Sequence, residues 1–299
     1  MAKRVGMEVS IACSEAVTLA NVDVIAAYPI TPQTHIVEHL SEQVANGNLD
    51  AEYIKVESEH SAMSCCVGAV AAGARAFTAT ASQGLILMSE IMYVASGLRL
   101  PVVMAVATRT LSAPLTIWGD QSDVMSQRDC GWITIFCENG QDVFDQTIIA
   151  FRVAEDERVL FPVMICMDGF HLSHVIEPIE VLSQEEVDSF LPPFRPRYRL
   201  DPDRPLTMGA FTMPDYFMEI KKQQDEALKS TLPVIKEIWK EWGDKFGRYY
   251  QPVSSYRTED AEVLILMAGG FTGTAQIAVD RMREQDKKVG LLRLKLWRP

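Results

Sequence analysis

At 299 residues, 48% hydrophobic and 23% charged, the chain has the composition of a globular protein large enough for one big domain or two ordinary ones. Its net charge of −12 argues against a nucleic-acid groove, and no polybasic patch offers itself to a membrane. The longest apolar run, Pro101–Ala107, is only strand-sized, and the basic start Met1–Val5 lacks the apolar segment of a signal peptide, so a cytoplasmic protein is expected.

The predicted elements alternate. A helix over Ser14–Ala20 precedes a strand over Val22–Ala27, which Pro29 and Pro32 terminate. Helical spacing resumes at His35–Leu40, a short strand covers Glu52–Lys55, and a small-residue helix spans Ser58–Gly73. Strand Ala76–Thr80, helix Gly84–Ser96 and strand Pro101–Thr108 follow. A polar loop leads to a segment over Asp123–Arg128. Strand Thr134–Cys137, helix Asp142–Ala154 and strand Leu160–Met167 complete the series. Strands separated by helices of this length imply an α/β domain over 1–175, a parallel sheet covered on both faces.

Beyond Val175 the pattern changes. Seven prolines between 178 and 214 read as an extended connection rather than core, and a charged helical stretch over Asp215–Tyr249 is interrupted at Pro233. Together 176–258 form a linker and helical segment. A second α/β pattern occupies 259–299: strand Val263–Met267, a glycine-rich turn, helix Thr274–Glu284 and strand Val289–Leu296. Two parallel strands cannot bury both faces, so this domain is expected to be incomplete and the chain a truncated one. The turn Ala268–Gly273 is a weak dinucleotide signal, because Ala268 stands where the first glycine belongs; a tight strand-to-helix connection is expected there.

The six cysteines form no C-x-x-C pair, and His60, His171 and His174 have no spacing or acid partner of a metal site, so no metal or iron–sulfur cluster is expected on this chain. Four loops carry the candidate chemistry. The proline-clamped Ala27–Thr34 turn is either an ordinary connection or a ligand contact at a strand's carboxyl end. Glu57 and Glu59 lie at the start of a closely packed helix, where a carboxylate is either a cap or functional. Thr78–Gly84 either caps the next helix or lines a ligand. Arg109 emerges from the most apolar strand, with a guanidinium fork suited to a carboxylate or simply to solvent.

Tyr28–Pro32, Glu57–Ala62, Thr80–Leu85, Arg109–Pro114 and Gly119–Asp123 occur in one order and at matching spacing, and in this they resemble the alpha subunit of the pyruvate:ferredoxin and related 2-oxoacid:ferredoxin oxidoreductases. The ending Leu291–Pro299 is similar to that family's second domain, where the chain ordinarily continues. The resemblance implies a thiamine diphosphate-binding fold (the pyrimidine domain), followed by a transketolase C-terminal-like domain. It implies oxidative decarboxylation of pyruvate with coenzyme A, yielding acetyl-CoA, carbon dioxide and reduced ferredoxin. By the same resemblance Glu59 serves the aminopyrimidine ring, Arg109 the substrate carboxylate and Thr31 the reacting carbonyl. Pro29, Ile30, Ser82 and Gln83 shape the cofactor pocket.

Because no G-D-G with a downstream asparagine is present, the diphosphate and Mg end is expected on a beta chain, and the 4Fe-4S clusters on ferredoxin-like gamma and delta chains, in a hetero-oligomer of anaerobic metabolism. Another 2-oxoacid (phenylglyoxylate, a branched-chain oxoacid or, last, the dianion oxalate) is the alternative within the chemistry. A silent scaffold subunit is the alternative outside it.

Overall fold

The computed structural model describes residues 3–299. The chain begins with β1 (Lys3–Glu8) and α1 (Val9–Leu19), then β2 (Val24–Ala27), α2 (Thr34–Ala45), β3 (Glu52–Lys55) and α3 (Glu59–Ala71). Next come β4 (Ala76–Thr80), α4 (Ser82–Leu87), α5 (Ser89–Gly97), β5 (Val103–Thr108), α6 (Ser122–Ser126), β6 (Ile133–Phe136), α7 (Gly140–Ala154) and β7 (Val163–Asp168). After β8 (Ile176–Val181) and α8 (Gln184–Asp188) run two long helices, α9 (Pro214–Lys229) and α10 (Thr231–Phe246). The last elements are β9 (Val253–Tyr256), β10 (Val263–Ala268), α11 (Thr272–Arg283), β11 (Val289–Leu294) and β12 (Leu296–Arg298). No helix among the described residues is long and apolar enough to cross a membrane.

Seven strands form the central sheet in the order β12-β6-β7-β5-β4-β2-β3, all parallel except β12, which runs antiparallel to β6. Every residue of β4, β5, β6 and β7 is buried, which is why these strands read as unbroken apolar runs. Alternation divides each strand between two core layers. Val103, Ala105 and Ala107 of β5 face α1 and α7, while Met104 and Val106 face α3, α4 and α5. The strand order reverses at β2: the chain goes first to edge strand β3 and then returns to β4 on the other side. Open parallel sheets place their ligands outside the carboxyl ends of strands at such a reversal.

Several expectations need correction. Residues 176–191 are not a linker: β8 pairs antiparallel with β1, and Ile179, Leu182, Val187, Phe190 and Leu191 lie in the main core. The irregular proline-rich run is confined to 192–213. Pro233 does not interrupt a helix, because it sits in the first turn of α10, where its missing N–H has no intrahelical partner to lose. The break falls at Ser230 instead. The single helix expected over Gly84–Ser96 is two, meeting at Met88. The second sheet has three strands, not two, because β9 pairs with β11. Its glycine-rich turn is a docking element: Gly269 adopts φ +82, and the Gly270 N–H donates to the Asp168 carboxylate at the end of β7.

Candidate active site at the strand reversal

The loops that leave β2, β4 and β5, with the start of α3, meet at the carboxyl end of the sheet. The β2 loop turns under Pro32, which is buried, while Pro29 and Thr31 are exposed and Ile30 is half-buried. Gln33 fixes this turn from beneath: its buried amide donates to the Tyr28 carbonyl at 2.8 Å and to the Ala79 carbonyl of β4 at 3.1 Å. Sequence reasoning passed over Gln33, since a glutamine beside a proline carries no signal of burial.

Glu59 opens α3. Ser58 caps the helix, its hydroxyl accepting from the Ser61 N–H, and the Glu59 carboxylate turns inward and is only 6% exposed. Glu57 points to solvent. Among the described residues nothing donates a hydrogen bond to the Glu59 carboxylate. Opposite lies Gly84 of α4, where a Cβ would fall 2.5 Å from both Glu59 Oε1 and Thr80 Oγ1. Only a residue without a side chain leaves this space open. The Thr80 hydroxyl at the end of β4 is buried and unpartnered, as are Gln33 Oε1 and the Thr108 hydroxyl. Such unmet polar atoms are costly in a finished core. They lie at the carboxyl end of the sheet, close to the loops that carry Glu59 and Arg109.

Arg109 follows β5 and is 7% exposed. Its Nη1 donates to the Thr31 carbonyl at 2.7 Å and its Nη2 to Gln83 Oε1 at 2.9 Å, while Nε is buried without a partner. Of the two alternatives, a fork for a carboxylate or a surface arginine, the second does not hold, because the guanidinium is buried and held by the residues around it. Gln83 also accepts from the Ser82 hydroxyl at 2.6 Å, and that hydroxyl lies 2.7 Å from the Thr110 carbonyl. Ser82 adopts φ +48, a left-handed conformation unusual for serine, at the point where β4 becomes α4. Thr31, Ser82, Gln83 and Arg109 thus form one connected group, and Glu59 lies across Gly84, next in sequence to Gln83.

The organiser of this group is Asp123, which sequence reasoning did not single out. It is fully buried, and its Oδ2 accepts from the backbone N–H of Ser82 at 2.8 Å and of Arg109 at 3.0 Å. Oδ1 accepts from the Val124 N–H at 2.7 Å. One carboxylate therefore sets the spacing between the β4 and β5 loops. Burial pushes its pKa up to about 6, against the lowering effect of those three donors.

A parallel sheet that brings an unpaired helix-start carboxylate and an anchored arginine together at its strand reversal has the layout of an α/β protein with a ligand site at the carboxyl ends of its strands. Comparison with known proteins makes the class specific. Residues 15–240 match the family described as pyruvate flavodoxin/ferredoxin oxidoreductase, thiamine diphosphate-binding, and residues 261–299 match pyruvate:ferredoxin oxidoreductase core domain II. The pyruvate synthase subunit PorA of Methanothermobacter thermautotrophicus is 51% identical over 288 residues, covering 96% of this chain and 75% of that protein. The ketoisovalerate oxidoreductase subunit VorA of Pyrococcus abyssi is 44% identical over 290 residues, covering 96% of this chain and 73% of the relative. A 2-oxoglutarate:ferredoxin oxidoreductase from Magnetococcus marinus shares the fold at a TM-score of 0.73 and 20% identity, over 98% of this chain and 54% of that one.

The chain belongs to the pyruvate:ferredoxin oxidoreductase family, as a counterpart of its alpha subunit. It is one subunit of a 2-oxoacid:ferredoxin oxidoreductase, and the family it matches binds thiamine diphosphate.

Proposed function

We propose that this chain supplies the pyrimidine side of a cytoplasmic active site that oxidatively decarboxylates pyruvate, with coenzyme A, to acetyl-CoA and carbon dioxide while reducing ferredoxin. The observation that carries this reading is the buried Glu59 carboxylate, unpaired across the bare Gly84. Thiamine diphosphate, when bound, supplies the nucleophilic carbon and the electron sink for breaking the bond to the departing carboxylate. Glu59 holds the aminopyrimidine ring and exchanges a proton with it. Pro29 and Ile30 wall the pocket, and the exposed Thr31 hydroxyl meets the oxoacid carbonyl. Ser82 and Gln83 line the cofactor side and orient Arg109. With one hydrogen of each Nη held by Thr31 and Gln83, Arg109 offers its remaining Nη hydrogens to the substrate carboxylate. A beta chain is proposed to complete the pocket and hold the diphosphate and Mg. Gamma and delta chains with 4Fe-4S clusters carry the electrons to ferredoxin.

Glu59→Gln in the assembled complex tests the assignment. Pyruvate-dependent reduction of ferredoxin or a viologen is expected to fall by about 10²-fold or more, the usual scale for losing a positioned acid–base group. Unchanged turnover would sink the catalytic reading and leave the scaffold alternative. Pyruvate, 2-ketoisovalerate, phenylglyoxylate and oxalate, assayed side by side, decide the oxoacid.

A further inference from the structure

Three polar side chains far apart in sequence converge beside the carboxyl end of the sheet. One ligand atom each from Glu8, His35 and His174 lie within 4.8 Å of one another, and all three residues are half-buried. Glu8 ends β1, His35 lies in the first turn of α2, and His174 lies in the loop between β7 and β8. Their backbones are tied together. The Val9 N–H donates to the Val175 carbonyl at 3.0 Å, the Ser10 N–H to the Ser173 carbonyl at 2.9 Å, and the Ser14 hydroxyl to the Ile36 carbonyl at 3.0 Å. The cluster therefore rests on packed, hydrogen-bonded backbone, the condition for a preorganised site.

The side chains are already aimed at one another. His35 Nδ1 is 2.7 Å from Glu8 Oε1, and the two imidazole rings have centroids 4.6 Å apart. His174 stacks on Phe170 at 4.3 Å, and its Nδ1 lies 2.8 Å from the hydroxyl of the fully buried Ser173. That hydroxyl also accepts the Phe170 N–H at 2.9 Å. A serine that fixes one ring nitrogen orients the other, which is the usual support behind a metal-bound histidine.

We propose that Glu8, His35 and His174 bind a divalent transition-metal ion of the zinc class. Two imidazole nitrogens and one carboxylate suit zinc, cobalt or iron(II), and not the all-oxygen preference of magnesium or calcium. Bonds of about 2.0–2.1 Å require the direct 2.7 Å contact between His35 and Glu8 to open so that the ion takes its place. Three protein ligands leave a further position for water. The ion clips the loop after β7 to the start of α2. That loop carries Gly169, where a Cβ would fall 2.7 Å from the Pro32 ring, so the clip also braces the turn that carries Thr31.

The test uses the 299-residue chain after chelation and dialysis, titrated with Co²⁺ by visible ligand-field absorption and with Zn²⁺ by calorimetry in excess Mg²⁺. One equivalent of Co²⁺ is expected, displaced by Zn²⁺, without the thiolate charge-transfer band that binding at the half-buried Cys65 would give. His35→Ala and His174→Gln should each weaken Co²⁺ binding about tenfold or more, and Ser173→Ala should weaken it less than either. The His35 side chain is 43% exposed, so His35→Ala should fold normally and decides the matter even where His174→Gln melts early. The absence of a bound equivalent, or binding unchanged in His35→Ala, overturns the proposal.

Discussion

Asp123 gives a quantitative test of how the active-site loops are held. A carboxylate whose pKa is raised from 3.8 to about 6 in the folded chain is easier to protonate folded than unfolded. Its contribution to stability is therefore fully present below the unfolded value and is lost as the pH rises through 6. The full span is about 3 kcal/mol, at 1.36 kcal/mol per pKa unit. Of this, about 1.4 kcal/mol is recovered on going from pH 7.5 to pH 5. Asp123→Asn removes the titration while keeping an oxygen for the Ser82 and Arg109 N–H groups; it leaves the Val124 N–H without its acceptor. Urea melts of the wild type and the variant at both pH values isolate the effect, because the other titrating groups cancel in the difference. The wild type should gain about 1.4 kcal/mol on the variant at pH 5 relative to pH 7.5. A difference between the two proteins that does not change with pH would refute the claim that Asp123 is a desolvated, ionised hub.

Two further perturbations separate the site from the scaffold. Gly84→Ala places a methyl 2.5 Å from Glu59 Oε1 and Thr80 Oγ1, and alanine in a helix favours folding by about 1 kcal/mol over glycine. The clash should cost about 1–3 kcal/mol, partly offset by that preference, while turnover of the assembled complex drops more than about tenfold; a fully active variant would show that this space is not used. At the opposite end of the sheet, Arg75 is 5% exposed and donates to both Glu155 oxygens at 2.6 and 2.7 Å and to the Pro192 carbonyl at 2.7 Å. Arg75→Met leaves the Glu155 charge buried and should cost about 3–5 kcal/mol in urea unfolding, with most of it recovered in Arg75→Met/Glu155→Leu. A loss below 1 kcal/mol would mean that water reaches the pair.

What was legible in the sequence follows from range. β4 and β5 could be read because full burial on both faces writes itself as an unbroken apolar run. Glu59 stood out because a carboxylate among alanines and glycines needs a reason. β1 and β8 could not be paired from sequence, since Lys3 finds Val181 across more than half the chain and neither strand alternates strongly. Asp123 was hidden in a loop of aspartates, glutamines and serines that looks solvated, and only the fold buries it. The Glu8, His35 and His174 cluster has no local spacing at all, because its geometry comes from three elements packed on one another.

Asp145, on the inner side of α7, ties the central sheet's helix layer to the segment that leads into the three-stranded sheet. Its Oδ2 accepts from Trp242 Nε1 at 3.1 Å, Arg248 Nε at 2.5 Å and the Tyr250 hydroxyl at 2.6 Å, and its Oδ1 from Gln141 Nε2 and Arg248 Nη2, both at 2.9 Å. Two residues beyond Tyr250, the Pro252 carbonyl takes the Lys295 and Leu296 N–H groups at 2.9 and 3.1 Å. A slide of one residue along α7 would break several of these bonds together, so intermediate positions have no partial reward. The junction has the character of a keyed joint and not of a hinge.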